Sequence, residues 1–217
     1  MKMNIAGAII VAGTFCATVS VAAAQGGNDG SAPRVYVAHL HSLNAGAAGS
    51  STSGVARFTV SGDSLAITVD VRNAPANMEH LQHFHGFTDG RDATCPAAGA
   101  DANGDGVVDL METEPTSGTT MVPFTADPVS MEVVTDTYPH ADASGSYHYS
   151  KTVSLAALEK AFAGKFPGQR LDLTKRVVYI HGVPSATKLP STAASLGTIP
   201  AQVTLPIACG AIEVESR

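Results

Sequence analysis

Two histidines separated by a single residue, His83 and His85, are the part of the sequence best suited to chemistry. Residues 79–89 around them are typical of a short β-strand, whose period of two places both imidazoles on the same face. Imidazole is the commonest metal ligand among protein side chains. The pair therefore indicates half of a metal site. The alternative interpretation is a strand with two surface histidines.

Further histidines and cysteines stand around this pair in an informative order: His80, Cys95, His181 and Cys209. The order resembles the Cu/Zn superoxide dismutase family. In that family a histidine-rich strand is followed by a cysteine, then late in the chain by a Val-Val-Val-His strand and a terminal Ala-Cys-Gly strand. The resemblance covers roughly residues 35–214 and extends to the related chordin-type (CHRD) domains, which share the pattern of short strands.

The resemblance implies a fold and a site. The implied fold is all-β, a Greek-key sandwich or flattened barrel with one short helix and long loops. His83, His85 and His181 match copper ligands, and His80 matches a packed, hydrogen-bonded histidine beneath the metal. Cys95 and Cys209 match the family disulfide, and the implied reaction is superoxide dismutation.

Two departures from the family pattern weaken the expectation of catalysis. No histidine lies between Cys95 and Val134 to match the one that bridges copper and zinc. The arginine that guides superoxide, three residues before the terminal-strand cysteine, is replaced by Pro206. We therefore expect copper binding with weak or absent dismutation. The alternative is a non-catalytic, calcium-stabilised CHRD-like binding or structural module, or a copper-storage protein.

Residues 101–112 satisfy every position of the twelve-residue EF-hand calcium loop, with Gly106 at the sharp turn. The oxygen ligands of such a loop would come from Asp101, Asn103, Asp105, the carbonyl of Val107, Asp109 and Glu112. Pro96 and Gly99 exclude a regular entering helix. A lone loop between strands indicates structural calcium rather than a sensor, and the alternative is an acidic surface loop.

Other polar clusters are weaker candidates for an auxiliary metal. The first strand carries a second histidine pair, His39 and His41, which equally suits a polar edge-strand face. His140, Asp142 and His148 fall where dismutases carry their zinc loop, but the correspondence is poor. We therefore expect a polar turn in this region rather than a zinc site.

Composition points to one globular domain over residues 34–217, with 44% hydrophobic and 15% charged residues in a chain of 217. Residues 1–24 have the pattern of a secretory signal, and residues 25–33 read as a flexible leader. Loss of Lys2 leaves 12 basic against 19 acidic residues, a charge of about −7, which disfavours nucleic acid and anionic membranes as partners. Loss of Cys16 leaves two cysteines, for which a disulfide is the default in the periplasm or outside the cell.

Alternating hydrophobicity and turn residues predict short strands. The predicted strands are 34–43, 55–60, 65–71, 119–124, 129–135, 145–153, 171–182 and a final strand that carries Cys209. Ser154 is placed to cap a helix through about Gly164, with Leu155, Leu158 and Phe162 on one face. Residues 184–206 are predicted to form a long loop with one helical turn near Thr192.

Overall fold

A computed structural model describes residues 32–97 and 99–215, and it contains nine β-strands. The strands are β1 (Arg34–Ser42), β2 (Ser53–Ser61), β3 (Ser64–Arg72), β4 (Gln82–Gly86), β5 (Thr119–Pro123), β6 (Tyr147–Ser154), β7 (Val177–His181), β8 (Pro206–Ala211) and β9 (Glu213–Val214). The predicted signal at residues 1–24 and the leader up to residue 31 lie outside the described residues.

The strands form one antiparallel sheet in the order β5-β4-β7-β8-β1-β2-β3-β6, with β9 paired to β1. β1 joins two halves, since residues 34–40 pair with β2 while His41 and Ser42 pair with β8. The far ends of the sheet curl toward each other: Tyr149 of β6 donates to the carbonyl of Thr125, just beyond β5, at 2.8 Å. The predicted all-β sandwich or flattened barrel is confirmed.

The core between the halves is built from side chains that alternate along each strand. Phe58 of β2 and Phe84 of β4 both pack edge-on against Phe124, at centroid distances of 5.8 and 5.9 Å. Because Phe84 faces this core, its neighbours His83 and His85 project from the opposite face of β4. Every residue of β4 is nevertheless buried, so its second face is also covered.

Four short helices connect the strands: α1 (Ala45–Ala48), α2 (Leu110–Ser117), α3 (Leu155–Lys165) and α4 (Ala201–Thr204). α3 is the predicted helix, capped by Ser154, whose hydroxyl accepts from the amide of Ala157 at 3.1 Å. The predicted number of helices, one, was too low. The helical turn of the 184–206 loop lies at α4, whereas Thr192 lies in a turn.

One predicted strand was wrong and another was wrong in part. Residues 129–135 form no strand, because Asp127 accepts from the amide of Val129 and starts a 3₁₀ turn at Pro128–Ser130. Met131 then takes a left-handed conformation with φ 58°, which breaks an extended run. The predicted strand 171–182 is extended only over β7, since Leu173–Lys175 is also a 3₁₀ turn.

Candidate metal centre

Two neighbouring strands bring His83, His85 and His181 together. β4 and β7 are hydrogen-bonded neighbours, with His83 opposite Tyr179 in the register. His181 ends β7, and its backbone amide donates to the carbonyl of Leu81 at 2.8 Å, just before β4. The three side chains, which we call the histidine trio, are 5%, 4% and 2% exposed.

The three imidazoles converge through the same ring atom. His83 Nε2 lies 2.9 Å from His85 Nε2 and 3.0 Å from His181 Nε2. Nitrogens bound to a zinc-like ion at about 2.0–2.1 Å have mutual separations only slightly larger than these. A small outward movement of each ring would therefore admit a transition-metal ion.

Hydrogen bonding prepares one of the three rings for coordination. His181 Nδ1 donates to the carbonyl of Thr204 at 2.7 Å, which leaves the Nε2 lone pair directed at the other two histidines. The Nδ1 atoms of His83 and His85 are buried and make no hydrogen bond of normal geometry with the described residues.

Burial keeps the trio neutral, which is the form that binds metal. Desolvation lowers the pKa of His85 to about 3, with the nearby His181 acting in the same direction and the Gly118 carbonyl opposing. Desolvation lowers the pKa of His181 to about 4 against the opposing effect of the Thr204 carbonyl. The pKa of His83 is also lowered, first by desolvation and then by its two histidine neighbours. Protons therefore compete weakly with a metal at neutral pH.

His80 lies directly behind the trio and is fully buried. Its Nδ1 lies 3.0 Å from the backbone carbonyl of His181 and its Nε2 lies 2.8 Å from the carbonyl of Pro75. The ring stacks on Tyr147 at a centroid distance of 5.8 Å. Burial lowers the pKa of His80 despite the two carbonyls, which favour protonation. This histidine thus links the backbone of a trio member to the preceding loop.

Residues 87–97 and 99–118, which we call the cover segment, fold over the outer face of β4 and β7. The segment is held by backbone bonds such as Ala93 N to Lys175 O at 3.1 Å. Ser117 Oγ lies 2.6 Å from the hydroxyl of Tyr179. The Cys95–Cys209 disulfide, with Cα atoms 5.9 Å apart, fastens the segment to β8. The predicted disulfide is confirmed.

The acidic loop 101–112 lies within the cover segment, and its carboxylates mostly accept backbone hydrogen bonds. Asp101 accepts from Asp105 and Gly106 at 3.0 and 2.9 Å, and Glu112 accepts from Ala102 at 2.8 Å. Asp109 forms a capping box with Glu112 at the start of α2. Among the His, Cys, Asp and Glu side chains of the described residues, only the histidine trio brings three ligand atoms within 4.8 Å of one another, so the carboxylates of this loop are not gathered around one point.

Asn44 and the long loop after β7 connect the acidic loop to other parts of the molecule. Asn44, with φ 49°, accepts from the amide of Val108 and donates to the carbonyls of Val108 and Pro206, each at 2.8 Å. The long loop after β7 also reaches the acidic loop, where the amide of Ala194 donates to Asp109 at 2.6 Å. Pro206 pairs with His181 in the sheet. Asn44 and Pro206 therefore connect the acidic loop to the strand that carries one member of the trio.

The remaining candidate ligands do not come together. His39 and His41 are exposed on β1, and no third ligand atom joins them among the described residues. His148 pairs with Asp70 at 2.7 Å, and Asp142 instead accepts from the amides of Ser144 and Ser146. His140 is exposed and joins Glu79 only through a backbone bridge. The structure therefore offers no gathered zinc site in this region.

Sequence reasoning missed two groups at the trio. One is the backbone carbonyl of Thr204, which orients His181 and has no signature in the sequence. The other is the hydroxyl of Thr120 on β5, which lies 3.2 Å from Nε2 of both His83 and His85. Only the pairing of β5 with β4 shows that this threonine is a neighbour of the site.

The buried trio and the disulfide fit a metal-binding β-protein, and a disulfide is typical of an oxidising compartment. No helix in the described part of the chain is long and apolar enough to cross a membrane. No protein-family model matches the sequence, and no curated protein sequence matches it either.

Proposed function

We propose that this chain is an exported copper-binding protein of the Cu/Zn superoxide dismutase-like type, with His83, His85 and His181 as copper ligands. The observation that carries the proposal is the convergence of three buried Nε2 atoms, with separations of 2.9 and 3.0 Å. Copper(II) stands at the top of the Irving–Williams order for such imidazole sites. The disulfide supports export, because such bonds persist in oxidising compartments.

Copper, when bound, supplies the one-electron redox couple that superoxide dismutation needs. The residues of the chain hold the ion and restrict access to it. The Thr204 carbonyl keeps His181 Nε2 unprotonated, and the position of His80 fixes the backbone that carries His181. No nucleophile takes part in this chemistry, and both mature cysteines are bonded to each other.

Dismutation is expected to be weak or absent. Pro206 stands where the family has its guiding arginine, and it is buried opposite His181, so it adds no cation at the site. The formal charge, −6 for the full sequence and about −7 without residues 1–24, further disfavours the approach of a superoxide anion. A site with three imidazoles and no bridging histidine also controls the redox cycling of its metal less well.

A non-catalytic role is the second candidate, and the burial of the trio favours it. Ligands that are only 2–5% exposed suit the holding of copper better than rapid exchange of a substrate. Copper storage would use the same ligands without turnover, whereas a calcium-stabilised CHRD-like module would not need them. Measurable superoxide turnover by the copper-loaded wild type would exclude this second candidate.

Calcium at the acidic loop completes the proposal. The spacing of residues 101–112 supplies the hard oxygens that calcium takes, and Gly106 has the positive φ, 91°, that the turn requires. Calcium would gather the carboxylates of Asp101, Asp105 and Glu112, which now bond to backbone amides. The helix α2, which begins at Leu110 within the loop, corresponds to an exiting helix, and the described residues before the loop contain no entering helix. We therefore infer a structural ion rather than a sensor.

The test is metal analysis and superoxide turnover on mature protein loaded with copper, compared with the double variant His83→Ala/His181→Ala. We expect one copper per wild-type chain, little in the variant, and turnover far below the diffusion limit. Equal copper in both proteins would end the assignment of the ligands. Turnover near the diffusion limit would instead show that the missing arginine matters little.

A further inference from the structure

A β-bulge places Thr120 beside the histidine trio. His83 pairs with Pro123 and Phe84 with Val122, but the register then shifts so that His85 pairs with Thr120. Without the shift, Met121 would stand opposite His85. Instead Met121 packs in the core, and Thr120 projects from the face that carries the histidines. Bulges of this kind re-aim side chains next to functional sites.

The Thr120 hydroxyl contacts the two histidines through the atoms that would bind metal. Its Oγ1 lies 3.2 Å from Nε2 of His83 and 3.2 Å from Nε2 of His85. Thr120 is only half-buried, whereas both histidines are 5% exposed or less. The hydroxyl therefore stands on the side of the trio that is nearest to solvent.

Metal binding would change the partners of this hydroxyl. An Nε2 atom that coordinates an ion has neither a proton to donate nor a free lone pair to accept with, so both contacts of Thr120 cease to be hydrogen bonds. The hydroxyl would then lie beside the ion with its own proton free. An anion that reached the ion beside Thr120 would find this hydroxyl as a hydrogen-bond donor.

We propose that Thr120 is a positioning residue, whose hydroxyl donates a hydrogen bond to the small anion that completes the metal coordination. This inference rests on the proposed copper site. The expected ligand is a compact anion that binds the metal through an oxygen or nitrogen atom, such as superoxide or azide. The hydroxyl thus provides, without charge, part of the anion recognition that an arginine would otherwise supply.

Azide titration of the copper-loaded protein tests the role of Thr120, with the copper EPR spectrum as the readout. Thr120→Val removes the hydroxyl at nearly constant shape, and Thr120→Ser retains it. Thr119→Val is the matched control, because Thr119 is exposed on the same strand. One hydrogen bond of ordinary strength predicts about fivefold weaker azide binding in Thr120→Val. Thr120→Ser and Thr119→Val should bind azide as the wild type does.

Copper analysis before the titration separates the possible failures. If the wild type holds no copper at the trio, the copper site and the role of Thr120 fall together. If copper is retained but Thr120→Val matches the wild type in azide affinity and EPR spectrum, the copper site stands and the role of Thr120 is refuted. Thermal unfolding checks that the variants fold. If Thr120→Val does not fold, the comparison is repeated with Thr120→Ala.

Discussion

The pattern His-x-His occurs twice in this chain, at His39–His41 on β1 and at His83–His85 on β4, with different outcomes. Both pairs lie on the same face of the sheet, because the register aligns His83 with Tyr179, Tyr179 with Cys209 and Cys209 with His41. Three strand spacings, roughly 14 Å, separate them. Yet the β4 pair is buried in a cluster, and the β1 pair is exposed.

The neighbouring strands explain the difference. β7, beside β4, ends in His181 and so supplies a third imidazole. The residues opposite His39 and His41 are Val55 and Cys209, neither of which provides a free ligand. The cover segment packs on Tyr179 of β7 and is fastened at Cys209 of β8, the strand next to β1 in the sheet. The His-x-His spacing along one strand therefore indicates a possible metal site. Whether the site forms depends on the ligands of the adjacent strand and on the cover segment.

Removal of the disulfide should have the largest effect on this contrast. For Cys95→Ser/Cys209→Ser, whose positions are 114 residues apart, the chain-entropy model gives a loss of about 4–5 kcal/mol. The melting temperature should fall by about 8–20 °C. Chemical modification of histidines should become faster at His83 and His85 and stay unchanged at His39 and His41. An unchanged melting temperature and reactivity would mean that the cover segment needs no fastening.

Acid should destabilise the metal-free protein through the buried trio. The folded-state pKa of His85 is lowered to about 3 and that of His181 to about 4, while unfolded histidine titrates near 6.5. As the pH falls from about 6.5 toward 4, the unfolded state takes up protons that the folded state refuses, so stability is lost. Denaturant unfolding across this range measures the loss. His83→Gln/His181→Gln should flatten the dependence and His39→Gln/His41→Gln should not, and equal slopes in both variants would contradict the assignment.

Chelation of calcium should have a smaller effect. If calcium is about a hundredfold above its dissociation constant, binding adds about 2.7 kcal/mol of stability. A chelator should therefore lower the melting temperature by several degrees, at about 2–4 °C per kcal/mol. Glu112→Ala should lower it similarly and remove the response to the chelator. A melting point unaffected by either change would argue against a structural ion in the cover segment.

Asn44→Gly should give the smallest effect. Glycine accepts the left-handed conformation at position 44 but loses three hydrogen bonds that link the acidic loop to β8. We expect a loss of about 1–2 kcal/mol, measured by denaturant unfolding. Asn73→Gly is the matched control, since Asn73 has φ 56° and its side chain makes no hydrogen bond with the described residues. Equal stability of the two variants would mean that Asn44 contributes only its backbone shape.

Alternation and turn residues predicted β1, β2, β3, β5 and β6 nearly to their ends, because each strand has one face in the core. The trio and the disulfide followed from the resemblance in residue order, and the structure brings both together. The helix α2 was missed although Asp109 and Glu112 have the spacing of a capping box. The position of Thr120 could not be predicted, because it depends on a bulge between paired strands. The role of the Thr204 carbonyl could not be predicted either, because every residue has a backbone carbonyl.

The most direct measurement compares the two histidine pairs in one experiment. Mature wild type, His83→Ala/His85→Ala and His39→Ala/His41→Ala are each dialysed against limiting copper(II), and the copper retained per chain is measured. One copper in the wild type and in the β1 variant, with little in the β4 variant, is the predicted result. Loss of copper from the β1 variant, or full retention by the β4 variant, would contradict the assignment of the metal centre to the histidine trio.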